Sequence, residues 1–589
     1  MAYTKQAKRE ASCRVGVEGH SLWSMRKNLL LLGTLCGAVC AAALPAGIAY
    51  AQSMPETPAE HHHHDDAPGM DEKLGRVSFP TSCAARSHVP MEHAVAMLHS
   101  FGYTRAEMQF RAIAKDDAGC AMAHWGVAMT KYQELWGEPE PEALKTGAEE
   151  MAEARRLAAP PAAITAREHE YIGALSAFFE PKNATFQQRA DAYEAKMNAL
   201  HAAYPADVEG AAFDALAILA ATPPTDTSLT HEHEALAILI PLFEAHPDHP
   251  GLAHYIIHTC DTPTLAPEGL QAAREYAKIA PASAHALHMP GHIFARLGMW
   301  QEDIDSNLAS VKASEKAEAA GQPGAAHQMH AKEFLIYAYL QVGQDEKAKE
   351  LTFNMRSVGV RMEAMPTMDD MKHGGNRLDN EVRAVYGIEM HDWKTLATET
   401  PAPGSKDYLK FDTYWGQGVA AGHLKDAKLA ASALAEFDKG VEALKRSPYA
   451  GRVSSMEVQR NEIVAWQAYA ENKPDDAGSA MRKAADQQDK LGQGEVDIPA
   501  REMLGDLLRM ENKPKEALVE YKMALKLSPN RLNGLLSAGM AAEEANKPEE
   551  ARSYYTAAAR QTGFGKNSQR TDVAHAVKVA GSAQTAMNN

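Results

Sequence analysis

Four histidines stand in two pairs of equal spacing. His254 and His258 are four residues apart, and so are His288 and His292, which follow the first pair at an interval of 34. Residues four apart share one face of a helix, so each pair can present two imidazoles to a common point. Neutral imidazole is a ligand for zinc, copper or nickel, and four of them with a carboxylate nearby form a sufficient donor set. Asp261 and Glu333 are the carboxylates closest to that pattern. The same residues have other readings. Histidines on an exposed helix face contact the carboxylates and rings of a bound peptide, and a duplicated segment leaves histidines in register with no role. Catalysis by a bound metal is a further reading, but no motif identifies a general base. The chain has no G-x-x-x-x-G-K-[ST], G-x-S-x-G, C-x-x-C or H-E-x-x-H; "THEHEAL" at His231 fails the last because Ala235 stands where the second histidine belongs.

The rest of the chain sets where these groups would work. A formal charge of −17 argues against nucleic acid as a partner. Met25-Arg26-Lys27, an apolar run and Ala49-Tyr50-Ala51 read as a secretory signal cut after Ala51, with Met25 a candidate start and an uncleaved anchor the rival reading. Cleavage removes six Lys/Arg and two Asp/Glu, leaving −21, and places the protein in the periplasm or outside the cell without stable membrane insertion. It also removes Cys13, Cys36 and Cys40. Export permits a disulfide, and Cys83 with Cys120 is the expected pair; buried free thiols are the alternative. Residues 52–75 are polar, contain "HHHHDD" from His61, and are expected to form a disordered tail.

From about Val77 onward, apolar residues recur at spacings of three and four with little alternation, so the elements are helices. Asn512, Lys513, Pro514, Glu516 and Ala517 return 34 positions later as Asn546, Lys547, Pro548, Glu550 and Ala551. That period is the length of one helix–turn–helix repeat. Gly505, Ala517, Tyr521, Ala524 and Pro529 fall where such a repeat needs small, small, aromatic, small and Pro; Gly539, Ala551, Tyr555 and Ala558 repeat the pattern.

On these residues the chain resembles tetratricopeptide repeat (TPR) proteins, and it is similar to exported bacterial TPR proteins in which a pair "HPGLAHYIIH…ALHMPGHIF" recurs. The resemblance implies a concave groove lined by the second, fifth, ninth and twelfth residues of each first helix. In that register His254 and His288 are fifth, His258 and His292 ninth, His285 second and Asp261 twelfth; after an insertion, His330, Glu333 and Tyr337 are second, fifth and ninth. The expectation is an all-α TPR solenoid in two arrays, 76–397 and 408–565, with a linker at 398–407 and a flexible tail at 566–589. Its expected role is a non-enzymatic scaffold holding a peptide or protein partner in the groove. The alternative is a protein that binds zinc, copper or nickel through His254, His258, His288 and His292, or a metal-dependent hydrolase built on them.

Overall fold

The computed structural model describes residues 72–587 apart from 224–225, 323, 365–373, 448–449 and 451–452. The expected signal segment and the histidines at 61–64 lie outside the described residues. Among the described residues every regular element is a helix.

The last repeats show why this sequence pairs its helices. Helix Ala500–Met510 is followed by Pro514–Leu527, and Leu532–Glu544 by Pro548–Gln561. Between the members of each pair stands an asparagine in the left-handed region, Asn512 at φ 59° and Asn546 at φ 60°. Asparagine tolerates that conformation and ends the first helix, while the proline two residues on occupies the first turn of the second, where its missing N–H costs nothing. The recurrent "NKP" is therefore a turn motif. The pairs then close on an aromatic ring. A β-carbon at Gly505 would sit 2.5 Å from the Tyr521 ring, and one at Gly539 2.5 Å from Tyr555. These are TPR-type helix pairs, and the solenoid is all-α.

Buried apolar residues form successive clusters along the chain, as expected where each repeat packs on its neighbours. Cys83 and Cys120 are joined in a disulfide, Cα to Cα 4.7 Å, across the first helix pair. Cys260 is a buried free thiol.

Three boundaries differ from expectation. Residues 72–75, expected in the tail, are packed: Leu74 is buried and the Lys73 carbonyl accepts from the Ala282 N–H. The 398–407 segment does not separate two bodies, since Ala67–Asn589 forms one unit. Ala402 is buried, and its N–H donates to Asn380 Oδ1 at 2.7 Å. Contacts also pass over the segment. Trp300 Nε1 donates to the Asn530 carbonyl at 2.8 Å, and buried Arg531 pairs with Glu389 and Glu502, both at 2.7 Å. Finally, the expected flexible tail carries helix Thr571–Met587, which packs on Pro548–Gln561 and buries Val573 and Ala576. Valine and alanine at 573, 576, 577 and 580 make one apolar stripe, which the polar residues between them obscure.

Candidate functional site

Four helices bring the histidines together. Helix Pro250–Thr259 carries His254 and His258 on one face. It begins at His249, whose Nδ1 accepts from the Leu252 N–H at 3.2 Å, with Pro250 in the first turn. Ala284–His288 carries His285 and His288, and Pro290–Arg296 carries His292. Ala325–Gln341 carries His327 and His330.

The four histidines singled out by spacing do not meet as one set. They divide between two triads, each completed by another residue of the expected groove. In the first, His254 Nε2 lies 3.0 Å from both His258 Nε2 and His285 Nε2. In the second, His288 Nε2 lies 3.0 Å from His292 Nε2, and His330 joins them, with all three donor atoms within 4.8 Å of one another. Each triad is backed by one phenyl ring. Phe101 stands 4.4, 5.3 and 5.8 Å from the rings of His254, His258 and His285. Phe334 stands 4.9, 4.8 and 5.3 Å from those of His288, His292 and His330.

The outer nitrogens settle which atoms point inward. His254 Nδ1 is 2.7 Å from the His99 carbonyl, which can only accept, so the proton is on Nδ1 and the neutral ring turns a bare Nε2 toward its partners. His288 Nδ1 is 2.6 Å from Asn307 Oδ1; the Asn307 amide nitrogen donates to Asp303, which fixes its oxygen toward the imidazole. His292 Nδ1 donates to Asp261 Oδ2 at 2.9 Å and Glu495 Oε1 at 2.8 Å, and His330 Nδ1 to Glu333 Oε2 at 2.9 Å. In the second triad, then, every Nδ1 is committed outward.

Charge follows the same division. Burial drives His254 down to about 3 and holds His258, His285 and His288 well below the usual imidazole range. His292 goes the other way: against its burial, Asp261 and Glu495 push it up to about 10. Arg296 balances that carboxylate pair, with Nε 2.9 Å from Asp261 Oδ1 and a terminal nitrogen 3.6 Å from Glu495. Arg296 also donates to the Gln493 carbonyl, so residues 493–497 lie against the cluster.

This position corrects the picture of an open groove. His254 is 0 % exposed, His288 2 %, and His285 and His292 8 % each. The helix expected to carry His285, His288 and His292 is interrupted at Met289, and Phe101, Phe334 and residues of the 493–497 segment lie against the rings and their partners. Asp261 and Glu333 hold imidazoles from outside instead of joining the converging nitrogens. Tyr337 is not part of either triad; its hydroxyl donates to the Asp497 carbonyl at 2.8 Å and it also meets Arg531. Sequence reasoning missed Glu495, which is 203 positions from His292 and carries no local signal. It also missed His327, whose ring is 5.7 Å from that of His285, although its spacing of three from His330 was visible.

A third histidine cluster has a different character. His99 Nε2 is 2.6 Å from Glu209 Oε2, and its Nδ1 is 2.8 Å from the Tyr255 hydroxyl. His249 Nε2 is 3.1 Å from Glu209 Oε1, and its Nδ1 already accepts from a backbone N–H. Every ring nitrogen is thus engaged, and the network anchors the His99 carbonyl that orients His254.

No family model and no curated protein matches the chain. Among solved structures, human IFIT1 as a dimer with m7Gppp-AAAA is 14% identical over 75% of this chain and 90% of that chain, with a TM-score of 0.35. The P58(IPK) TPR domain is 16% identical over 64% of this chain and 99% of that chain, with a TM-score of 0.20. At such scores the likeness carries no functional argument.

Proposed function

We propose that this protein is an exported TPR-type solenoid that binds transition metal through His254, His258, His285, His288, His292 and His330. One contact carries the reading. His288 and His292 both spend their Nδ1 protons outward, so their Nε2 lone pairs meet at 3.0 Å, where they repel unless a cation lies between them. In the metal-free protein that cation is a proton on His292. A metal ion replaces it: at 2.0–2.1 Å from each nitrogen in tetrahedral geometry it would hold them about 3.3 Å apart, a few tenths of an ångström from the present spacing. Carboxylates behind His292 and His330 are the outer partners that raise the basicity of metal-ligating histidines. All-imidazole donors suit zinc, copper or nickel. The Cys83–Cys120 disulfide supports export, because such bonds persist in oxidising compartments.

The test is metal analysis of the full-length protein with His61, His62, His63 and His64 replaced by alanine, since that run binds metal in its own right. The expected result is stoichiometric zinc, copper or nickel, with the share held by His288, His292 and His330 lost from His330→Ala and the helical circular dichroism retained. His330 is the most exposed member of its triad and the least needed for packing. A parent with no metal above background, together with a partner protein lost on the same substitution, would return these histidines to peptide recognition.

A further inference from the structure

We propose that residues 492–497 form a lid that lifts from the histidine cluster to admit a metal ion and closes over the ion once it is bound. This rests on the metal-binding reading above. His288 and His292 turn their Nε2 atoms toward each other, and both rings are buried. An ion that ends between them must therefore pass a covering group. Phe334, which packs on both rings, is held inside helix Ala325–Gln341. Residues 492–497 belong to no helix; they connect Pro474–Leu491 to Ala500–Met510.

The segment can pivot at one end and is fixed at the other. Gly492 is exposed and stands at φ 85°, a conformation that suits glycine, where the preceding helix stops; Gly494, also exposed, follows it. At the far end Ile498 is buried, and Pro499 leads into the next helix. Between these points the loop is held down by polar contacts, with Val496 half-buried. Glu495 Oε1 lies 2.8 Å from His292 Nδ1, and its second oxygen is 3.6 Å from Arg296. The Gln493 carbonyl accepts from Arg296, and the Asp497 carbonyl accepts from the Tyr337 hydroxyl at 2.8 Å.

One residue is ill served by the closed position. Gln493 is buried, and its amide nitrogen has no hydrogen-bond partner among the described residues. A buried unpaired donor destabilises the arrangement that buries it, and lifting the loop would return that donor to water. Closure is thus favoured by Glu495, Arg296 and Tyr337 and opposed by Gln493. Opposed contacts on a loop that pivots at glycine let it open and close without disturbing the helices it joins. Glu495 also ties the lid to its cargo. Its carboxylate stands behind His292 and acts on His258 as well, so a positive ion among these rings draws the lid shut.

The experiment uses the full-length protein with the histidines at 61–64 replaced by alanine, loaded with whichever of zinc, copper(II) and nickel it retains. Stopped-flow mixing measures release into excess chelator and uptake by the stripped protein. Tyr337→Phe deletes the hydroxyl that holds the Asp497 carbonyl. Uptake and release should both quicken about fivefold, the population shift that one net hydrogen bond is worth, with Kd unchanged. Gln493→Met removes the unpaired amide at nearly constant volume and should slow both. Amide hydrogen exchange at 492–497 in the metal-free proteins should follow the same order, fastest in Tyr337→Phe and slowest in Gln493→Met. Equal rates and equal exchange in all three proteins would overturn the lid and leave the metal-binding reading standing, with the ion entering beside His330. Faster release with unchanged uptake would also overturn it, since Tyr337 would then only steady the loaded state. If Tyr337→Phe loses its helical circular dichroism, Gln493→Met decides alone. A parent that retains none of the three metals would overturn both readings.

Discussion

If metal fills the second triad as proposed, a proton must leave, and the electrostatics of His292 point to which one and over what pH range. His292 holds that proton because Asp261 and Glu495 push it up to about 10. At pH 8.5 a group with that value is about 97 % protonated, whereas an ordinary imidazole near 6.5 is about 1 % protonated. His254, His258, His285 and His288 are driven down by burial and have no proton to give there. Metal binding at pH 8.5 should therefore release close to one proton from imidazole, and apparent affinity should rise about tenfold per pH unit from 7 to 9. The perturbation is Asp261→Asn with Glu495→Gln. These keep hydrogen-bond acceptors on His292 Nδ1 but remove both charges, so burial alone acts and His292 is neutral before the metal arrives. The assay is titration calorimetry at pH 8.5 in buffers of different ionisation enthalpy, which counts protons directly. The double variant should release about one proton fewer than the parent. A metal-bound water that ionises contributes to both and cancels in the difference. Equal release from the two proteins would refute the assignment of the proton to His292. The same substitutions should lower the intrinsic affinity, corrected for the proton that the parent must first release, about 10–100-fold, the usual cost of removing outer partners of a metal-ligating histidine.

Further predictions concern the frame. Buried Glu462, which accepts from Trp415 Nε1 at 2.6 Å, is pushed up to about 8 by burial. The stability associated with its protonated form is complete below about pH 4.5 and lost as pH rises toward 8, so Glu462→Gln should stabilise by up to about 3 kcal/mol at pH 7 and by little at pH 4, read from urea midpoints. Metal-free His292 has the opposite origin but the same sign: its raised value favours folding below about 6.5, and that contribution fades as pH climbs through about 10. Truncation after Lys566 should lower the unfolding midpoint, by about 2–4 kcal/mol, because it removes the buried side chains of Val573 and Ala576; an unchanged midpoint would mean that helix does not pack. Arg531→Met should cost about 3–5 kcal/mol, since it leaves Glu389 and Glu502 buried without their cation; a midpoint shift under 1 kcal/mol would show those carboxylates to be protonated or hydrated.

The sequence makes the repeats legible because a repeat is a local device. Asn512 and Asn546 mark turns, Gly505 and Gly539 mark close approaches, and both signals lie within one helix pair. The spacing of 34 between His254 and His288 is likewise local to adjacent repeats, and the structure places those side chains in close clusters with other histidines. What spacing cannot convey is the third dimension of the stack. Whether the fifth residue of a first helix faces solvent or a neighbour depends on how tightly successive pairs coil. The partners that decide it, Phe101 and Glu495, lie 153 residues before His254 and 203 after His292. The tail at 566–589 is a different kind of miss. Its valine and alanine stripe at 573, 576, 577 and 580 is present in the sequence, but short alanine side chains make it faint.

The hook between the early and late repeats gives this solenoid a property that stacked helices usually lack. A spring of nearest-neighbour repeats stretches and frays from its ends. Here Gly298, at φ 63°, lies so near the Pro529 carbonyl that a β-carbon would come within 2.2 Å of it, and Asn530 Nδ2 donates back to the Gly298 carbonyl at 3.2 Å. With Trp300, Arg531 and Glu495 reaching across the same seam, the coil is latched to itself. Extension under load must break the latch before any turn can unwind, so force spectroscopy should record one large rupture in place of a sawtooth of small ones. The imidazole cluster sits beside that latch, so Gly298→Ala, 37 positions from Asp261 and 197 from Glu495, should loosen the cluster without touching a single ring.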